Sequence, residues 1–205
     1  MQLTMLGTGA ALVTKCYNTC CVFEERGEYF LVDGGGGNGL LVQLQKAGVD
    51  YKDIKSIFVT HKHIDHLLGV VWLVRMICHS MNLGEHEGEV FLYANDEVAE
   101  ILTGLAQTLL RPQESRFINS RLHLTAVADG EEKRVLGRKI IFFDICSAKA
   151  KQFGFTLFLF DGGKVTYCGD EPFCERNFAY AAGSRWLLHE AYCLASQAAV
   201  FDPYE

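Results

Sequence analysis

The sequence predicts a layered α/β or α+β architecture with mixed sheets, and three observations carry that reading. Nine short stretches rich in Val, Ile, Phe and Tyr end on Gly, Asp or Asn, the pattern of bounded strands. Helical apolar periodicity fills some of the gaps between them. Two of the strand pairs are joined by tight turns containing glycine, so hairpins alternate with longer crossovers.

The first strand covers residues 2–6. Residues 20–24 and 29–33 form a hairpin around Arg26-Gly27, and four glycines, Gly34 to Gly37, lead into a helix at 40–47. A strand at 56–60 runs through a histidine-rich segment into an apolar helix at 67–78. The strand at 89–94 meets an Asn95-Asp96 cap signal and a helix at 96–110. Strands follow at 139–144, 155–160 and 164–168, the last two joined by Asp161-Gly162-Gly163, and a final strand covers 186–190. No linker, repeat or low-complexity run divides the chain, so residues 1–205 read as one domain.

At 49% hydrophobic and 21% charged residues, the composition excludes a disordered or collagen-like chain. The net charge of −6 speaks against grip on a phosphate backbone through bulk positive charge. The longest uncharged apolar runs, 67–74 and 153–160, are too short to span a bilayer, and no signal-peptide pattern opens the chain. The eight cysteines therefore read as reduced thiols in a cytoplasmic protein with no membrane partner.

Thr60-His61-Lys62-His63-Ile64-Asp65-His66 is the most informative segment. His61 and His63, two apart, project to one side of an extended chain. Asp65 and His66 follow at the turn into a helix and can face a second point nearby. Four donors in six residues at a strand end suit two close metal ions, which at roughly 3.5–4 Å separation can activate water and hold both attacking and leaving oxygens. Imidazole with carboxylate suits Zn²⁺, and also Fe or Mn.

This HxHxDH pattern resembles the metallo-β-lactamase superfamily of metal-dependent hydrolases. Leu6-Gly7-Thr8-Gly9, Leu31-Val32-Asp33-Gly34 and Tyr167-Cys168-Gly169-Asp170 resemble its strand-end turns, and Leu188-His189-Glu190-Ala191 is similar to the His-Glu-Ala segment of the ribonuclease Z-like branch. The resemblance implies a four-layer α/β/β/α sandwich with the site at one edge. It further implies that His61 and His63 bind one zinc ion, Asp65 and His66 a second, and Asp170 bridges both. Asp65 would also orient the metal-bridging hydroxide and carry its proton.

Two departures stand out. The resemblance implies a further histidine ligand after a mid-chain strand, and Cys146 occupies that position. A thiolate ligand and a small buried cysteine are both open readings. A last histidine is also implied after the His-Glu-Ala segment, yet none follows His189. The sequence thus reads as lacking the closing C-terminal elements, with the last ligand lost by truncation, lent by another chain, or missing from an incomplete site. His189 and Glu190 either compensate or orient the ligands. Apolar surface uncovered there predicts a homo-oligomer or a complementing chain.

The expected function is metal-dependent hydrolysis of phosphodiester or ester bonds. The alternative is a degenerate or truncated member acting as a binding or scaffold protein. Residues 154–168 leave room for one hairpin and not for the tRNA-gripping arm of the related endonucleases. With the negative charge, this favours a small phosphodiester or ester substrate over nucleic acid.

Overall fold

Residues 1–172 and 174–190 are described in a computed structural model. Ala191, Cys193 and the segment 201–205, all part of the sequence reading, lie outside the described residues, as do any closing elements.

Strands β1 (Gln2–Gly7), β2 (Cys20–Glu25) and β3 (Glu28–Val32) form an antiparallel meander. The turn between β2 and β3 has positive φ at both Arg26 and Gly27, the mirror-image geometry that suits hairpin twist. Helix α1 (Gly39–Lys46) crosses over to β4 (Ile54–Val59), which lies parallel to β3. Helix α2 (Ile64–Leu83), β5 (Val90–Ala94), α3 (Asp96–Leu109), the single turn α4 (Pro112–Ser115) and β6 (Leu122–Ala126) complete a six-stranded sheet ordered β1-β2-β3-β4-β5-β6. The second sheet, ordered β11-β10-β9-β8-β7, comprises β7 (Glu132–Val135), β8 (Arg138–Asp144), β9 (Phe153–Phe158), β10 (Lys164–Tyr167) and β11 (Trp186–Leu188). It is antiparallel except at β10–β11, and a short helix α5 (Phe178–Ala181) precedes its last strand.

Alternation along the strands sorts side chains into two cores. Cys20, Val22, Leu31, Ile57 and Val59 face the helical layer, where they meet Leu73, Val74 and Ile77 of α2. Their neighbours Cys21, Phe23, Phe30, Val32 and Phe58 face the second sheet and meet Phe142, Phe153 and Phe155. Phe155 is the hub of that inter-sheet core, packing edge-on against Phe23, Phe30 and Phe58. On the outer face of the second sheet Phe143 stacks on Tyr180 of α5, with centroids 4.2 Å apart. The result is the expected α/β/β/α layering. Among the described residues one helix, α2, is long and apolar enough to cross a membrane, and it packs as a core helix, with 61% of its apolar window buried.

Several expectations need correction. Helix α2 starts at Ile64 rather than 67, because extended backbone at His63 opens the helix three residues earlier. His79 lies inside α2, and its partner is Glu114 at 3.0 Å. Strand β9 starts at Phe153, where its pairing with Asp144 sets the register. Strand β7 and the Leu136-Gly137 turn that joins it to β8 escaped the reading, since Glu132-Lys133-Arg134 carries no apolar alternation. The segment carrying Arg111, Arg116 and Arg121 packs beside α2, with Arg116 donating to Asn82 and Arg121 donating to the carbonyls of His86 and Gly88.

Candidate metal centre

The centre lies at the C-terminal end of β4, where the two sheets open. Thr60 and His61 continue that strand, His63 precedes α2, and Asp65 and His66 occupy its first turn. Asp170 comes from the other sheet, three residues beyond β10. Donor atoms of His61, His66 and Asp170 all lie within 4.8 Å of one another. The Nδ1 atom of His63 is 2.8 Å from Nε2 of His61. The Oδ2 atom of Asp65 is 3.5 Å from Nε2 of His66, and Oδ2 of Asp170 is 3.0 Å from the same nitrogen. Five of the six residues expected at the site from sequence are thus gathered in one place.

Asp33 organises them. Its backbone has φ +58, a left-handed conformation that aspartate tolerates better than most residues. The parallel register Val32↔Phe58 brings the end of β3 beside the end of β4. The carboxylate is fully buried and receives the Thr60 N–H at 2.8 Å and the Thr60 hydroxyl at 3.0–3.1 Å. With its proton committed to Asp33, the Thr60 hydroxyl accepts from Nδ1–H of His61 at 2.8 Å, which leaves the lone pair on Nε2. The same carboxylate accepts from Nδ1–H of His66 at 2.8 Å. One aspartate therefore orients two imidazoles, one directly and one through a threonine. Sequence reading had Asp33 only as part of a strand and turn.

The electrostatics follow from this packing. Burial, reinforced by the neighbouring imidazoles of His66 and His63, pushes His61 down to about 2, so it is a neutral imidazole at physiological pH. Burial also works against a charged His66, but Asp33 and Asp170 on either side outweigh it and raise its pKa well above the ordinary value. For Asp170 burial opposes ionisation, and hydrogen bonding and attraction to His66 prevail, holding it below the usual carboxylate range. Imidazole nitrogens and carboxylates converging in this way form a donor set suited to divalent transition metals.

The centre forms part of the wall of a cavity of about 520 Å³. His63, Asp65 and Asp170 face it, together with Thr8, Gln152 and Lys149. His189 and Glu190 line it as well and are outside the ligand cluster, His189 holding the Glu190 carbonyl through Nδ1 at 2.9 Å. Cys146 is elsewhere. It is exposed, with φ +61, and its thiol meets Arg176 at 3.3 Å and the Asp144 carbonyl at 3.7 Å. The structure does not bring it to the other five, because the left-handed turn after β8 directs it away from the cavity. His123 pairs with Glu89, and His86 is buried outside the cluster.

Comparison with known proteins agrees with the geometry. A ribonuclease Z from Archaeoglobus fulgidus is 28% identical over 69% of this chain and 43% of its own length. A ribonuclease Z from a Synechococcus species is 26% identical over 93% of the chain and 75% of its own length. The chain thus spans less than half of the first relative and three quarters of the second. The metallo-β-lactamase fold protein YhfI from Bacillus subtilis superposes with a TM-score of 0.75 at 17% identity, covering 95% of this chain and 73% of that one. The family model of the anti-Pycsar protein Apyc1 matches residues 1–204. A ribonuclease Z-like member of the metallo-β-lactamase superfamily by fold, the chain belongs to the Apyc1 anti-Pycsar protein family.

Proposed function

We propose that the protein is a metal-dependent phosphodiesterase, zinc being the metal its donor set suits best, acting on small phosphodiesters in the cytosol. The observation that carries the reading is the convergence of His61, His66 and Asp170 beside a cavity that Asp170, His63 and Asp65 line and whose volume is within the range of small-molecule sites. His61 and His63 would hold one ion, Asp65 and His66 a second, and Asp170 both. Divalent ions bound there supply positive charge for phosphate oxygens and acidify water.

The protein's own groups do the rest. Asp33 and Thr60 keep the imidazoles in the tautomer that offers Nε2 inward. Asp65, in contact with the cavity, is placed to hold and pass a proton at its carboxylate. Lys149, also on the cavity wall, is placed to meet an anionic substrate. The family is named for an anti-Pycsar protein, and that antagonism is part of the proposal for this chain. Relatives named ribonuclease Z do not support setting nucleic acid aside, so RNA belongs in the substrate screen.

Metal content by elemental mass spectrometry, on protein purified without chelator, is the first test, with a His61→Ala/His63→Ala variant as control. About two ions per chain, lost in the variant, with hydrolysis of bis(p-nitrophenyl) phosphate, cyclic nucleotides or an RNA oligonucleotide, is the expected result. One ion or none, without hydrolysis, would sink the enzyme reading and favour a binding or scaffold role.

A further inference from the structure

Gln152 presents an anomaly at the cavity wall. It is 1% exposed and lines the cavity, yet its amide oxygen Oε1 has no hydrogen-bond partner. A buried acceptor left in that state keeps its full desolvation penalty, so its retention calls for a cation or donor opposite it.

The surrounding hydrogen bonds establish which end of the amide faces inward. The Ser147 hydroxyl has one proton, and a carboxylate oxygen of Glu171 takes it. Toward Gln152, then, Ser147 Oγ can only accept, and Nε2 of Gln152 donates to it at 3.3 Å. The N–H groups of Lys149 and Ala150 point at the same Oγ, so the turn between β8 and β9 is built around it. With Nε2 so engaged, the oxygen is turned the other way, toward the backbone just before Asp170. A Cβ built on Gly169 would come 3.5 Å from it. The backbone is tied to the metal strand as well, since Phe153 N–H donates to the Thr60 carbonyl at 3.0 Å. Gln152 thus stands between the residue that precedes His61 and the residue that precedes Asp170.

We propose that Gln152 Oε1 is an oxygen donor to the ion held by His61 and His63, filling the place for which sequence pointed to Cys146. The proposal rests on the metal-centre reading above. A neutral amide oxygen suits a site that already holds carboxylates, because it adds a ligand without adding charge. Ser147 and Glu171 are positioning residues that hold the amide in one orientation.

The test is a competition titration of apo protein with Zn²⁺ against a chromophoric chelator, with the Co²⁺ ligand-field spectrum as a second readout and apo thermal unfolding as a fold check. Gln152→Met keeps volume and removes both polar ends. Gln152→Glu keeps an oxygen and removes the donor to Ser147. Zinc affinity is expected to fall at least about tenfold in Gln152→Met with an altered Co²⁺ spectrum, and to be retained or raised in Gln152→Glu. Cys146→Ser is expected to leave both readouts unchanged. Equal losses in the Met and Glu variants would assign Gln152 a merely structural role and overturn the proposal. Wild-type affinity in Gln152→Met, or a fall in Cys146→Ser alone, would overturn it too. A wild-type protein that takes up no ion would remove the metal centre itself, an outcome distinct from these.

Discussion

Asp33 shows how much of the site depends on a single carboxylate. It is buried, fixed by the Thr60 N–H and hydroxyl, and sets the ring of His66 directly. Asp33→Asn leaves the volume but places an amide where Thr60 and His66 each need an acceptor. Metal affinity is expected to drop about 10- to 100-fold, read by chelator competition, while the apo fold survives. Unchanged affinity would show that the imidazoles orient themselves. The histidines and Asp65 were legible in the sequence because their spacing is local and dense. Asp33 was not, since its role needs a left-handed φ and the adjacency of β3 and β4, 27 residues apart at the contact with Thr60. Cys146 misled for the opposite reason: its position after a strand was legible, and the turn that points it at Arg176 was not.

Among the elements, α2 makes the centre, and its placement is set backbone to backbone. Gly34 N–H donates to the His66 carbonyl at 2.8 Å, and Gly69 N–H donates to the Gly35 carbonyl at 2.9 Å. A Cβ on Gly69 would lie 1.8 Å from the Gly34 carbonyl oxygen, so Gly69→Ala must push the helix off the loop. The expected cost is about 1–3 kcal/mol, or roughly 2–10 °C in Tm for a chain this size, with loss of metal affinity because Asp65 and His66 move with the helix. A Tm and affinity equal to wild type would refute the docking argument. At the far side of α2, Glu114 is buried and takes His79 and the Arg111 N–H. Burial alone would raise its pKa, but His79, the Arg111 N–H and nearby Arg75 outweigh it and lower the carboxyl below its ordinary value. A carboxyl depressed by folding contributes stability above its unfolded value and loses it as pH falls through the folded one. Glu114→Gln is therefore expected to lose roughly 1–2 kcal/mol at neutral pH and to converge with wild type below about pH 4 in urea titrations. A gap that persists in acid would assign the effect to packing. Helices and central strands were legible from apolar period, whereas β7, polar and at a sheet edge, gave no such signal.

In the whole molecule, the centre is the place where two halves with separate cores meet. His61, His63, Asp65 and His66 belong to the six-stranded sheet and its helices, and Asp170 to the five-stranded sheet. A layered architecture with mixed sheets was predictable from the strand and helix pattern, but the four-layer order and the meeting of Asp170 with His66, 104 residues earlier, came from the family resemblance and from no local pattern. An ion shared across this seam cross-links the sheets and binds only where both are folded. Binding to the native state alone stabilises by about 2.7 kcal/mol at one hundred times the dissociation constant. For a domain of this size that corresponds to a rise of roughly 5–10 °C in Tm. Chelation by EDTA is thus expected to lower Tm by that amount, with Zn²⁺ restoring it. Asp170→Ala is expected to abolish most of the difference, since Asp170 is the charged donor that the five-stranded half contributes and Gln152 adds only a neutral one. Equal EDTA sensitivity in Asp170→Ala would mean that the ion is held without the Asp170 carboxylate, whose place across the seam would then add nothing to the grip of the aromatic core around Phe155.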